Sequence, residues 1–375
     1  MYFHFKTLIT ALRTAVRSEN ASWRHLFFAV TFTILFLMLR AIVWCGRKLD
    51  YLFFPGYRKQ PVKAPIFIIG NPRSGTTFTH RLMFHDKVFT HFKLVDTIFP
   101  AVSFYKLFAL LENIDRRLGG PLARLINCAS DKGFEGWKDV HKTGPKEVES
   151  DEMLFVYTML SPLVGLLFPY FNVLPYVRFV DRLPVQQRQK IMAYYLDCLK
   201  RHVYATGSDK ILLEKVALIA GRLQSILETL PDMRLVHLVR HPYQSIPSLI
   251  SMFAIPWKIL APRAIQRDDA YQALAELIFA YYRYILEIKK KLPAEQYLEI
   301  YYDDLVADPN GSVERIYSHF NLPMGDEHRL FLEAESQKAR AYKSKHHYSL
   351  EQFGLSKQQV YEALEDVFEA YGFER

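Results

Sequence analysis

Cysteine is scarce: three in 375 residues, Cys45, Cys128 and Cys198, far apart and without metal-ligand spacing. That excludes a disulfide framework and a cysteine-based zinc site, and fits a reducing compartment. No zinc-finger spacing and no RNP-like signature accompany the net charge of +9, so nucleic acid is not its expected partner. A basic membrane face combined with a polyanionic small molecule accounts for the charge better. Internal repeats and low-complexity segments are also lacking, and the length suits one large domain or two small ones.

What abounds is apolar and aromatic surface: half the chain is hydrophobic, with 28 Phe and 23 Tyr. Over residues 3–17, Phe5, Leu8, Ile9, Leu12 and Val16 share one helical face while Lys6, Arg13 and Arg17 lie elsewhere, the pattern of a basic interfacial helix. Leu26 to Leu39 is an uncharged run of fourteen, short of the ~20 residues a bilayer span needs. Adding Ala41–Cys45 reaches twenty, with Arg40 toward one end, where its side chain can snorkel. No small-residue cleavage site stands out, which argues against a signal peptide. Arg and Lys flank both ends, so orientation stays open. Residues 1–50 are therefore expected as a membrane-associated helical segment, spanning or interfacial, with a helix docked on the domain as the alternative. Residues 51–375 form the remaining domain.

From Ala64 the pattern becomes α/β. Short apolar runs at Pro65–Ile69, Ile211–Leu213, Leu235–Val239 and Tyr297–Tyr302 read as strands. Helical stretches at Thr77–Phe84, Leu183–Tyr204, Ala220–Thr229 and Ala270–Lys291 lie between or beside them. Such alternation implies a parallel sheet flanked by helices.

Gly70-Asn71-Pro72-Arg73-Ser74-Gly75-Thr76-Thr77 follows the first strand and opens a helix. There backbone N–H groups converge and the helix dipole favours an anion. Gly75 allows close approach, and Ser74, Thr76 and Thr77 add hydroxyls. The frame is G-x-x-x-x-G-T-T, a P-loop-like frame with Thr76 where a nucleoside triphosphatase carries Lys. The positive charge sits instead on Arg73, inside the loop. This P-R-S-G-T-T loop resembles the 5'-phosphosulfate-binding loop of sulfotransferases that use 3'-phosphoadenosine-5'-phosphosulfate (PAPS), in particular the larger bacterial-type family.

That resemblance implies a second strand ending in Arg, with a Ser some two helical turns later, for the 3'-phosphate. Leu235-Val236-His237-Leu238-Val239-Arg240-His241-Pro242 supplies the strand and the Arg, and Ser248 follows eight residues on, after a Pro-containing turn. Arg240 offers a planar fork to phosphate oxygens. Tyr301-Tyr302-Asp303-Asp304-Leu305-Val306-Ala307-Asp308-Pro309 resembles the family's Y-[ED]-D-L-x-x-D-P segment, which makes Tyr302 an adenine-ring contact. Tyr342–Leu355 resembles the family's basic tail, where Lys343, Lys345 and His346 are placed to close over the nucleotide. The resemblance covers roughly residues 62–360 and makes 51–375 a sulfotransferase domain, binding PAPS, releasing 3'-phosphoadenosine-5'-phosphate and requiring no metal.

Sulfuryl transfer needs donor and acceptor in line, charge stabilisation on the leaving phosphate and a base for the acceptor. Arg73 and Lys215 are the charge stabilisers the resemblance implies, Lys215 lying 25 residues before Arg240. Here the sequence departs from its relatives, which commonly continue K-S-P-x-H, whereas Val216-Ala217-Leu218-Ile219 follow. The acidic cluster within Gly144–Met153 resembles the family's P-x-E-x-x-E/D-E segment and makes Glu152, then Glu149, then Asp151 the bases to consider. His141 and His80 are outsiders.

Met153 to Val177 carries no charge in twenty-five residues and is interrupted by Pro162, Pro169 and Pro175. It reads either as core or as an apolar acceptor pocket or membrane-facing lid. With the N-terminal segment, it favours a hydrophobic or lipid-like alcohol as acceptor. Two other readings remain open: a kinase or NTPase, which lacks its Lys and an Mg²⁺-holding Asp here, and a membrane-tethered P-loop nucleotide-binding protein without sulfuryl transfer. A membrane-associated protein with a cytoplasm-facing catalytic domain is the expectation.

Overall fold

The computed structural model describes residues 1–17, 22–71, 73–124, 148–263, 269–340 and 348–375. Five parallel strands lie in the order β2-β3-β1-β4-β5: β1 Ile66–Gly70, β2 Phe89–Thr90, β3 Ile211–Val216, β4 Arg234–Val239 and β5 Tyr297–Tyr301. In register, Ile68 of β1 faces Lys215 of β3 on one side and Val236 of β4 on the other. Strands buried on both faces read as unbroken apolar runs, and β1 is inaccessible at all five residues. Its alternate side chains serve opposite faces: Phe67 and Ile69 join one core, Ile66 and Ile68 the other.

The helices are α1 Phe5–Arg17, α2 Trp23–Phe53, α3 Thr76–Met83, α4 Leu94–Ile98, α5 Val102–Arg117, α6 Glu152–Val156, α7 Pro175–Arg178 and α8 Val185–Thr206. There follow α9 Leu223–Thr229, α10 Pro242–Leu260, α11 Asp269–Lys289, α12 Tyr302–Ala307, α13 Pro309–His319, α14 Asp326–Arg340 and α15 Lys357–Tyr371. The smaller core packs α3, α13 and α14 on the sheet. The larger takes α8, α10, α11 and α15 together with the buried side of α1 and α2.

Two segments differ from the sequence reading. Pro242 opens helix α10 rather than a turn, because the first helical position has no intrahelical bond for a proline to break. Ser248 consequently lies on a helix that also accommodates Pro247 and Pro256. The uncharged run from Met153 is a chain of short helical turns, and Leu154, Phe155, Tyr157, Phe168 and Phe171 are core. It is chiefly packing.

At the N-terminus, Ser22 caps α2 by accepting from the His25 amide at 3.1 Å. Among the described residues, α2 is the one helix long and apolar enough to cross a membrane. It continues to Phe53, past the segment end expected at residue 50.

Candidate active site

The site begins where β1 ends, at the carboxyl edge of the sheet. The strand order changes direction there, with β3 on one side of β1 and β4 on the other, and the resulting crevice is the usual ligand position in open parallel sheets. A Cβ at Gly70 would lie 2.7 Å from the Leu238 carbonyl, so only glycine lets β1 and β4 run this close. Arg73 holds φ +71° and Gly75 φ +90°. Left-handed residues just before a helix start turn successive N–H groups to one side, as in an anion nest. Ser74 donates to the Asn71 carbonyl at 2.6 Å and fixes the turn from within.

Three strands then bring side chains to this loop, two of them charged. From β3, Lys215 is buried, with Nζ 3.4 Å from Thr77 Oγ1 and 3.6 Å from Glu149 Oε1. Glu149 arrives because its segment runs beside residues 92–93: Lys93 bridges Val148, and the Glu149 amide donates to the Phe92 carbonyl. After β4, Arg240 donates through Nη1 to the Arg73 carbonyl and through Nε to Gln244 Oε1 at 3.0 Å. After β5, the Tyr302 ring lies 3.9 Å beneath the Arg240 guanidinium. The same segment backs the loop, since a Cβ at Gly75 would meet Leu305 at 2.9 Å and Tyr302 at 3.3 Å. The loop, Arg240 and Tyr302 are one cluster.

A family model described as "Sulfotransferase family" matches residues 174–326. Omega-hydroxy-beta-dihydromenaquinone-9 sulfotransferase Stf3 of Mycobacterium tuberculosis is 25% identical over 365 residues, covering 92% of this chain and 84% of the relative. The Mycobacterium bovis protein of the same name matches to the same extent. Among solved structures, sulfotransferase STF9 from Mycobacterium avium superposes with TM-score 0.73 at 14% identity, covering 100% of this chain and 98% of that one. Sulfotransferase STF1 from Mycobacterium tuberculosis gives 0.67 at 19% identity, covering 96% and 92%. The family model, the curated relatives and the solved structures that this chain resembles all carry the name sulfotransferase.

Within this site the three acidic residues have different surroundings. Glu149 is half-buried beside Lys215. Glu152 is buried, and both its oxygens accept from Arg222, one of them also from Ser161 Oγ at 2.6 Å. Asp151 is buried too and accepts from the Tyr195 hydroxyl, while its Oδ1 has no protein partner. Burial pushes Asp151 up to about 6. Its neighbour Glu214, on β3 beside Lys215, is pushed well above the usual carboxylate range, again chiefly by burial. His80 is sealed under β3, bonded to the Leu213 carbonyl at 3.1 Å, and burial holds it well below the imidazole range.

Ser248 lies on α10, buried, with its carbonyl accepting from Ser251 Oγ at 2.7 Å. Lys343, Lys345, His346 and His141 lie outside the described residues. Three partners escaped sequence reading: Arg222, Gln244 and Tyr282, whose hydroxyl donates to the Arg240 carbonyl at 2.9 Å. Gln244 had a signal, four residues after Arg240. Arg222, 70 residues from Glu152, had none.

Proposed function

We propose that the protein is a sulfotransferase that moves a sulfuryl group from PAPS to the hydroxyl of a hydrophobic, lipid-like acceptor. The observation that carries the reading is the joining of Arg240, Arg73 and Tyr302 in one cluster, because one adenosine bisphosphate needs a cradle at each end and a surface for its ring. The donor set suits such a group: two guanidinium side chains, a left-handed loop at a helix start, exposed Thr77 and no Walker lysine. PAPS would supply the activated sulfuryl group and a leaving group already carrying negative charge. Arg73, Ser74, Gly75, Thr76 and Thr77 would hold the 5' end, Arg240 and Ser248 the 3'-phosphate and Tyr302 the adenine, with Lys345 a further contact that the resemblance implies.

In this reading Arg73 and Lys215 stabilise the charge that develops on the leaving phosphate oxygen. Glu149 is the first choice of base, ahead of Glu152 and Asp151. Its carboxylate stands at the Lys215 side of the loop, whereas the Glu152 lone pairs are engaged by Arg222 and Ser161. Among the described residues no cluster of His, Cys, Asp and Glu is placed to hold a metal ion.

The lipid-like acceptor is supported by the exposed apolar N-terminal helices and by a mycobacterial relative whose name specifies an omega-hydroxylated dihydromenaquinone. A membrane-associated protein with residues 1–50 as the anchoring part, 51–375 as the catalytic part and a cytoplasm-facing site completes the reading. The test is transfer from labelled PAPS to a panel of apolar alcohols and soluble oligosaccharides. Label in the apolar alcohols supports it. Label in oligosaccharides alone overturns the acceptor, and no label in any arm, with donor unbound, overturns the activity.

A further inference from the structure

The N-terminal helices carry an exposed apolar surface outside the nucleotide cluster. On α2 the buried positions form a narrow seam, Ala29, Phe36, Val43 and Asp50, each seven residues from the last. Most of the remaining surface of the helix is apolar and exposed: Phe27, Leu35, Met38, Ile42 and Trp44 are examples. Helix α5 lies alongside and extends this surface with exposed Leu107, Leu110, Leu111 and Ile114. The two helices approach so closely at Gly46 that a Cβ there would lie 2.4 Å from the Phe104 ring. Between them runs an apolar groove of about 540 Å³, lined by Ile42, Cys45 and Leu49 of α2 and by Phe104 and Leu107 of α5.

The seam fixes how α2 can meet a bilayer. His25 Nε2 contacts the Leu167 carbonyl at 2.8 Å, Phe36 stacks on Tyr157, Arg47 binds Asp197, and Asp50 binds Arg201. From His25 to Asp50 the helix is clasped along ~38 Å at 1.5 Å per residue. A perpendicular span through ~30 Å of hydrocarbon takes in about twenty residues and would drag the core packed on Ala29, Phe36 and Val43 into the lipid. Charge points the same way. Of the exposed charged side chains on α1, α2 and α5, eight are basic, Arg17, Arg24, Lys48 and Arg116 among them, and one, Glu112, is acidic. A second copy of so basic a face would repel the first, whereas anionic headgroups complement it.

We propose that α1, α2 and α5 form a single in-plane docking face for an anionic lipid bilayer, with α2 lying along the interface rather than across it. The inference deepens the lipid-facing reading above and is decided by vesicle binding, not by sulfuryl transfer. The full-length protein is floated with vesicles of phosphatidylcholine and phosphatidylglycerol, or of phosphatidylcholine alone. Leu35→Glu on α2 and Leu110→Glu on α5 change exposed positions and leave thermal unfolding as it was. Each is expected to weaken flotation about ten-fold or more, the cost of withdrawing one leucine from the lipid. Phosphatidylcholine alone binds less, and alkaline carbonate releases the protein. Binding that Leu110→Glu does not change and carbonate does not release means that α2 spans alone, which overturns the proposal. Absence of binding, with a dimer that Leu35→Glu dissociates, assigns the face to a second copy and overturns it equally.

Discussion

Arg240 Nη1 donates to the main-chain carbonyl of Arg73, although 167 residues separate them. The end of β4 is thus tied to the loop after β1, and a guanidinium that holds a backbone carbonyl retains other N–H groups for an anion. Arg240→Ala is expected to lower kcat/KM about 10²-fold or more, by loss of a charge-assisted contact and of loop order together. Arg240→Lys keeps the charge but not the fork and recovers only part. Steady-state kinetics with PAPS as the varied substrate checks this.

Lys215 and Glu149 stand 3.6 Å apart, and their substitutions should differ in kind. Glu149→Gln is expected to lower kcat about 10²–10⁴-fold with little change in donor affinity, the signature of a lost base. Lys215→Ala is expected to lower kcat too and also to weaken nucleotide binding. Nucleotide binding measured beside turnover separates the two.

Glu152 answers to a different measurement. Its pairing with Arg222 is buried, so Glu152→Gln or Arg222→Met leaves one partner short in a dry site and costs about 3–5 kcal/mol of stability. Thermal unfolding reads that loss directly. Unchanged stability with abolished turnover would restore Glu152 as the base.

The pH dependence of stability follows from Asp151. Its folded value of about 6 lies above the usual carboxyl value of 3.8, so the native state binds the proton more tightly than the unfolded chain. The stabilisation is fully present below pH 3.8 and is lost as pH rises through about 6. Glu214 acts in the same direction. Asp151→Asn, which still accepts from Tyr195, should flatten the fall between pH 4 and 6, as followed by urea unfolding at stepped pH.

Gly75 has φ +90° and Leu305 at 2.9 Å from any added Cβ, so both backbone and packing oppose a side chain. Gly75→Ala is expected to weaken nucleotide binding about ten-fold or more while the rest of the fold persists. Isothermal titration with 3'-phosphoadenosine-5'-phosphate reads it.

Much of this architecture is legible in sequence because its parts are local. The strands announce themselves as apolar runs, and the loop after Ile69 by the spacing of Gly70 and Gly75. Strand β2 is two residues long and has no pattern to recognise. Partners joined only by folding, such as Arg222 with Glu152 or Glu149 with Lys215, leave no local trace. The uncharged run from Met153 shows the limit in another way: composition alone does not distinguish a core segment from an exposed pocket, and here packing around Trp257 and Tyr195 decides for the core. On α2, length and hydropathy fit a membrane span, but only the seam through Phe36 and Asp50 shows which side of the helix packs on the domain.

The most direct test of the account compares the binding of 3'-phosphoadenosine-5'-phosphate with that of adenosine 5'-phosphate, in the wild type and in Arg240→Ala. The wild type should lose about ten-fold or more in affinity when the 3'-phosphate is removed, and the variant should scarcely distinguish the two nucleotides. Equal affinities in the wild type, or tighter binding of ATP with Mg²⁺, would contradict the account.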